Sequence, residues 1–314
     1  MARRATLKDV ARAAGVSVTT VSLVLNGRPA RVSKEKRELI AKAAKELHYV
    51  PNQSARSLVT KQSKLVALIV PDIENLFFAA LSKCVEDECA AQGYSLIVAN
   101  SDDSRATEHD LMVRLASRGV DGMMLIPARE SCAAEDELRA DVEQVACPVV
   151  LIDRYFEPTA LPYVTTNNYE GGLNATKYLI GFGHRDILCI RGVPHSMPAR
   201  ERERGYLDAL REAGLEDRAR IAGNDFSIQN GYLETKFALS GSARPTAIFA
   251  MSNTILLGTI KAIKESGLRI PDDISVVSFD NYTYLDYLDP AITRVSQRIS
   301  EMGALAVKIL LQRI

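Results

Sequence analysis

The stretch TLKDVARAAGVSVTTVSLVLNG, residues 6–27, decides how the start of the chain folds. Leu7, Val10, Ala11 and Ala14 recur at helical spacing, and Thr6 with Asp9 makes the Thr-x-x-Asp capping pattern, so a first helix is expected from about Leu7 to Ala14. Gly15 ends it. Ser17 is placed to cap a second helix with Val21, Val24 and Leu25 on its inner side, and Asn26-Gly27 supplies a stop and turn. Ser33 can cap a third, longer helix with Glu35 in its first turn and Leu39, Ile40, Ala43, Ala44 and Leu47 on one face. Two short helices around one glycine turn, the second opening with small polar residues, form a helix-turn-helix whose second helix enters the DNA major groove by its N-terminal end. A plain helical bundle would give no reason for Ser17, Val18, Thr19, Thr20 and Ser22 to be exposed together.

Charge supports the same reading. The 314-residue chain carries 39 Lys+Arg and 39 Asp+Glu. Residues 1–64 hold 14 of the basic residues and only four acids, Asp9, Glu35, Glu38 and Glu46, a net of +10, so the remainder is −10. A short cationic head matches a polyanion, because each phosphate neutralised releases condensed counterions. The five cysteines are scattered without metal-like spacing, and the four histidines form no HExxH, so reduced thiols and no structural metal are expected. No apolar run approaches the roughly 18–20 residues that span a bilayer, which points to a soluble, cytoplasmic protein with no membrane partner.

After His48-Tyr49-Val50, Pro51 breaks the third helix and Asn52 can cap one more short helix, PNQSARSLVT. That segment is too short to be stable alone, so it would fold against a twin or against DNA. From Lys64 onward short apolar runs alternate with amphipathic stretches: Leu65–Val70, a helix near 77–92, Leu96–Ala99, a helix near 107–118, Gly122–Ile126, another helix, and Val149–Ile152. A second set follows with Ile187–Ile190, a helix from about Glu201 to Ala213, Ala247–Met251, a helix near 254–266 and Ile274–Phe279. Each set reads as a parallel sheet covered by helices, with a cleft at the strand carboxyl ends. GxGxxG after a strand, GxxxxGK[ST] and GxSxG are all missing, so dehydrogenase, P-loop NTPase and α/β-hydrolase lose their main signatures and no catalytic residue or cofactor is assigned. Carboxylates such as Asp102-Asp103 read as hydrogen-bond acceptors or surface groups.

The head and hinge, TLKDVARAAGVSVTTVSLVLNG followed by YVPNQSARSL, resemble those of the LacI family of bacterial transcriptional repressors. The body resembles the effector-binding part of that family, itself similar to periplasmic sugar-binding proteins, through VPDIENLFFAAL, GVDGMMLIP, LIDR, VTTNNYEGG, RERGYLDAL and GLRIPDDISVVSFDN among other phrases. The resemblance implies a small all-α helix-turn-helix head plus an α/β body of two parallel-sheet subdomains. It divides the chain into a head at 1–50, a hinge at 51–63 and a body at 64–314, with subdomain one at about 64–165 and 294–314 and subdomain two at about 166–293. Family members usually continue past the helix at 300–314 with a final strand and a short tail, so the family's usual ending is expected to lie beyond Ile314.

What the resemblance implies for function is a homodimeric repressor on a near-palindromic double-stranded operator, switched by a small sugar-like or nucleoside-like effector. The alternative is a sugar-binding or sugar-modifying protein with an accessory DNA-binding head. The matching positions put Val18, Thr19, Ser22 and Leu23 on the recognition face, Ser17 and Asn26 at phosphates, Thr6, Asn52 and Arg56 among the DNA contacts, and Leu58 as a minor-groove wedge. Leu23 departs from the family, which often has Arg there; Leu cannot make Arg's bidentate contact to guanine and favours thymine methyls instead.

For the effector, Phe77, Phe78 and Phe226 offer ring faces to a sugar or base, or pack in the core. Asp153 and Arg154 directly follow the strand VVLI and point into the cleft, or pair at the surface. Arg202 stands at the place of the family's ligand-binding arginine, where its planar fork suits vicinal hydroxyls, while Arg200 and Arg204 read as solvated. Asp280 can accept from two hydroxyls or cap a turn, and Gln297 can contact ligand or fix a crossover. Asn253, in the pair Ser252-Asn253, stands where the family often has Asn-Asp, exchanging a charged acceptor for neutral groups.

Overall fold

The computed structural model describes residues 5–27, 29–50, 62–157 and 159–314. The expected hinge helix, with Asn52, Arg56 and Leu58, lies outside the described residues. The chain divides into two compact units, 1–63 and 64–314.

The first unit contains α1 (Leu7–Ala14), α2 (Val18–Leu25) and α3 (Lys34–Glu46). Thr6 and Asp9 form the capping box, and Gly15 takes φ 61°, a left-handed turn that suits glycine. Ser17 and Ser33 cap α2 and α3 through their hydroxyls, each accepting a backbone N–H. Val10, Ala11, Ala14, Val21, Ile40 and Ala43 close the core, with Leu7, Val16, Val24, Leu25, Ala44 and Tyr49 against it. The expected inner face of α3 is too wide. Leu39 and Leu47 are 47% and 37% exposed, because two thin helices cover only the Ile40–Ala43 stripe.

The second unit holds two five-stranded sheets. One contains β1 (Leu65–Val70), β2 (Ser95–Asn100), β3 (Gly122–Leu125), β4 (Val149–Ile152) and β5 (Tyr163–Val164), in the order β2-β1-β3-β4-β5. The other contains β6 (Ile187–Ile190), β7 (Arg220–Ala222), β8 (Ala247–Ala250), β9 (Ser275–Phe279) and β10 (Thr293–Val295), in the order β10-β9-β8-β6-β7. Every strand pair is parallel, and both sheets repeat one doubly wound topology. Helices α4 (Leu76–Ala91), α5 (Arg105–Ser117) and α6 (Glu135–Gln144) serve the first sheet. Helices α7 (Asn168–Gly181), α8 (Met197–Glu212), α9 (Ile228–Ser240) and α10 (Asn253–Glu265) serve the second, and α11 (Ile299–Leu311) returns to pack on α4, β3 and β4. The second sheet reaches Val295 through β10, just past the subdomain boundary expected at about 293, because the returning segment pairs with β9 before crossing.

Candidate effector cleft and DNA-reading helix

In the body, the ligand candidates all follow strand ends. Phe77 and Phe78 come after β1, Asp153 and Arg154 after β4, Arg202 on the helix after β6, Phe226 after β7, Asn253 after β8, Asp280 after β9 and Gln297 after β10. All nine line one pocket between the two sheets, where open parallel sheets place ligands. The pocket holds about 50 Å³, room for a few waters, and it shares Asn75, Phe78, Arg154 and Phe226 with a wider vestibule of about 300 Å³.

Backbone geometry aims the carboxylates. Asp103, Asp153 and Asp280 have φ of 54°, 62° and 80°, the left-handed region that non-glycine residues seldom occupy and that clusters at binding sites. The Asp280 Oδ2 accepts from the Asn253 N–H at 3.1 Å, at the N-terminus of α10, where the helix dipole favours an anion. Its Oδ1 accepts from Gln297 Nε2, while Gln297 Oε1 accepts from Thr166 Oγ1 at 2.6 Å. Thus Asp280 both caps and lines the cleft, and Gln297 both fixes the crossovers and lines it. Asp153 is different. It is 7% exposed and its carboxylate makes no hydrogen bond among the described residues. Burial raises its pKa, against the pull of Arg202 and Arg154.

The arginines are held from behind. Arg202 donates from Nε to Asn168 Oδ1 at 2.9 Å and from Nη1 to the Met251 carbonyl at 2.5 Å, with its guanidinium carbon 3.6 Å from the centre of the Phe279 ring. Burial lowers its pKa against the opposing pull of Asp280 and Asp153. Arg154 is buried rather than part of a surface pair, and donates to Asp103 and to the Pro127 carbonyl. Arg200 and Arg204 are exposed. Phe77 and Phe78 belong to the core and to the cleft at once, their rings edge-to-face at 5.3 Å. Such a set can cover the apolar faces of a small ring with phenyl groups and offer its hydroxyls both acceptors and donors.

In the head, Thr6, Ser17, Val18 and Thr19 are exposed, and Ser22, Leu23 and Asn26 are half-buried. Some polar groups already have local partners. Ser17 Oγ accepts from Thr20 N–H at 3.1 Å, Asn26 Nδ2 donates to the Ser22 carbonyl at 2.8 Å, and the Thr6 hydroxyl donates to Asp9 at 2.7 Å.

Residues 6–52 match the profile of bacterial regulatory proteins of the lacI family, and residues 176–314 that of a periplasmic binding protein-like domain. The chain is 37% identical over 313 residues to the ribose operon repressor of Haemophilus influenzae, covering 99% of this chain and 92% of that protein. It is a member of the LacI family. It is also 38% identical over 316 residues to the HTH-type transcriptional repressor PurR of Erwinia tasmaniensis, covering 99% and 90% of the two chains. Among solved structures it resembles the lac repressor dimer bound to operator and the anti-inducer ONPF, with TM-score 0.88 and 27% identity, covering 99% of this chain and 92% of that one. A LacI family transcriptional regulator from Enterococcus faecium with bound ribose matches at TM-score 0.70 and 27% identity, over 79% of this chain and 90% of that one.

This LacI-family protein is a DNA-binding transcriptional repressor controlled by a small-molecule effector, and its curated relatives are repressors rather than enzymes. No helix among the described residues is long and apolar enough to cross a membrane. Asn75, Pro198 and Ser252 also line the cleft and were not anticipated from sequence. Asn75 and Ser252 cap α4 and α10 by accepting from Phe77 N–H and Ile255 N–H, so a polar cap directly after a strand was the available signal.

Proposed function

We propose that the effector is a neutral monosaccharide of the aldopentose class, held by Phe77, Phe78, Asp153, Arg154, Arg202, Phe226, Asn253, Asp280 and Gln297. The observation that carries this is the carboxylate of Asp153, a residue only 7% exposed, which makes no hydrogen bond among the described residues and faces a pocket of about 50 Å³. A sugar hydroxyl satisfies such an acceptor, whereas an unsatisfied buried charge is expensive. Phenyl rings cover the C–H faces of the sugar while Arg154 and Arg202 donate to its oxygens. Ribose in the Enterococcus faecium neighbour and in the name of the Haemophilus influenzae relative agrees with this class. No reaction is catalysed.

The protein acts in the cytoplasm as a homodimer on two inverted half-sites, α2 reading base edges through Val18, Thr19, Ser22 and Leu23, with Thr6, Ser17, Asn26, Asn52 and Arg56 on the backbone and Leu58 as the wedge. Calorimetric titration of the full chain with D-ribose, D-glucose and hypoxanthine tests the effector class. An aldopentose is expected to bind about 10–200-fold tighter than the hexose or base, and to change operator affinity measured by fluorescence anisotropy. Preference for hypoxanthine would overturn the sugar assignment.

A further inference from the structure

A chain of charged groups crosses the mouth of the cleft. Asp103 Oδ1 accepts from Arg154 Nη1 at 2.7 Å and from the Arg129 backbone N–H at 2.8 Å, and its Oδ2 accepts from Arg129 Nε at 2.9 Å. Arg129 Nη1 then reaches Asp225 Oδ1 at 3.4 Å, and that oxygen also accepts from the Phe226 N–H at 2.8 Å. Arg154 and Phe226, at the two ends, line the pocket from opposite subdomains. The loop carrying Arg129 is clamped on both sides by the buried Glu108, which accepts from Ala128 N–H at 2.6 Å and from Ser131 Oγ at 2.5 Å.

We propose that Arg129 is a positioning residue for effector retention: its bridge to Asp225 holds the two subdomains closed and slows release without touching the effector. This rests on the cleft being the effector site. The bridging side chains are 47% and 34% exposed, and an isolated pair so exposed contributes little. Here the fork on Asp103 and the Glu108 clamp fix Arg129 in advance, so less ordering entropy is lost when the bridge forms. Because the bridge spans the two subdomains, breaking it removes a restraint on their opening, the step that precedes release.

The test compares full-length Arg129→Met, Asp225→Asn and the double variant with the parent, using stopped-flow tyrosine fluorescence with D-ribose and small-angle X-ray scattering without it. Asparagine retains an acceptor for the Phe226 N–H. Each single variant is expected to release ribose about two- to fivefold faster with association no slower than the parent's, and the double variant to match the singles because both remove one bridge. The ligand-free variants should scatter as more open than the parent. Unchanged release rates, or effects that add in the double variant, overturn the proposal. If the parent binds no ribose, the sugar assignment fails separately and scattering decides: identical profiles for parent and variants overturn the bridge, and wider variants uphold it.

Discussion

Phe226 lies flat against Gly192, so close that a Cβ on the glycine would stand 2.1 Å from the ring Cζ. Gly192 has no left-handed φ; what requires glycine is the approach of the ring, one wall of the proposed effector pocket. Gly192→Ala must drive that ring off the loop, and overpacking of this kind costs about 1–3 kcal/mol. Effector affinity is expected to fall about tenfold or more by calorimetry, with partial recovery when Phe226→Leu is added. An alanine variant binding as tightly as the parent would show that the ring's seat does not matter.

Asp153→Asn should separate stability from binding. Burial raises the Asp153 pKa in the folded protein. A raised carboxyl pKa contributes stability that is fully present below the unfolded value of about 3.9 and is lost as pH rises through the folded value. In the empty cleft at about pH 7 the charge is therefore unfavourable, and the asparagine variant should resist urea at least as well as the parent. Its advantage should shrink as pH falls from the raised folded value toward about 3.9, and be absent below that. Effector binding should weaken by about one to two orders of magnitude, since a charge-assisted acceptor is lost. Loss of stability together with unchanged affinity would contradict the assignment.

Asp103 carries the opposite sign. Burial alone would raise its pKa, but Arg154 and Arg129 outweigh burial and hold it below the ordinary carboxylate value. Its stabilisation is present above about pH 3.9 and is lost as pH falls through the lower folded value. Asp103→Asn should thus destabilise the body by about 1–3 kcal/mol near neutrality, with the gap closing in acid. Urea titrations from about pH 3 to 7 would show it, and a gap independent of pH would deny the ionic contribution.

The strands LVALIV (65–70) and VVLI (149–152) are legible because their residues are buried on both faces of a parallel sheet and read as unbroken apolar runs. The helices α7 and α9 were missed for a physical reason. Gly172 and Gly231 lower their helical signal, yet they are what allows close packing: a Cβ on Gly172 would stand 2.3 Å from the Arg202 carbonyl oxygen, and one on Gly231 2.1 Å from that of Ile255. Edge strands β5, β7 and β10 are only two or three residues long, too short for periodicity to register. The nine cleft candidates were visible because a strand-end position coincided with a matching position in the family and a side chain suited to a ligand. Gly192, Arg129 and Asp225 were not, since their roles arise from contacts between segments far apart in sequence.

In the head, Leu23 sits half-buried on α2 beside the exposed Val18 and Thr19, where Arg is common in the family. A leucine side chain offers only apolar contact, which favours thymine methyls, whereas arginine would donate two hydrogen bonds to guanine O6 and N7. Leu23→Arg should therefore shift the half-site toward guanine at one position in each arm, with about 1–3 kcal/mol of new discrimination there. Two controls bear on it. Parent and variant should both lose affinity steeply between about 50 and 200 mM salt, because the +10 head binds chiefly through phosphates and the extra charge adds little to that. Leu58→Ala, at the proposed wedge, should reduce DNA bending without moving the preferred base. Selection from a random operator library by both proteins decides the matter, and identical motifs would mean that Leu23 does not face the bases.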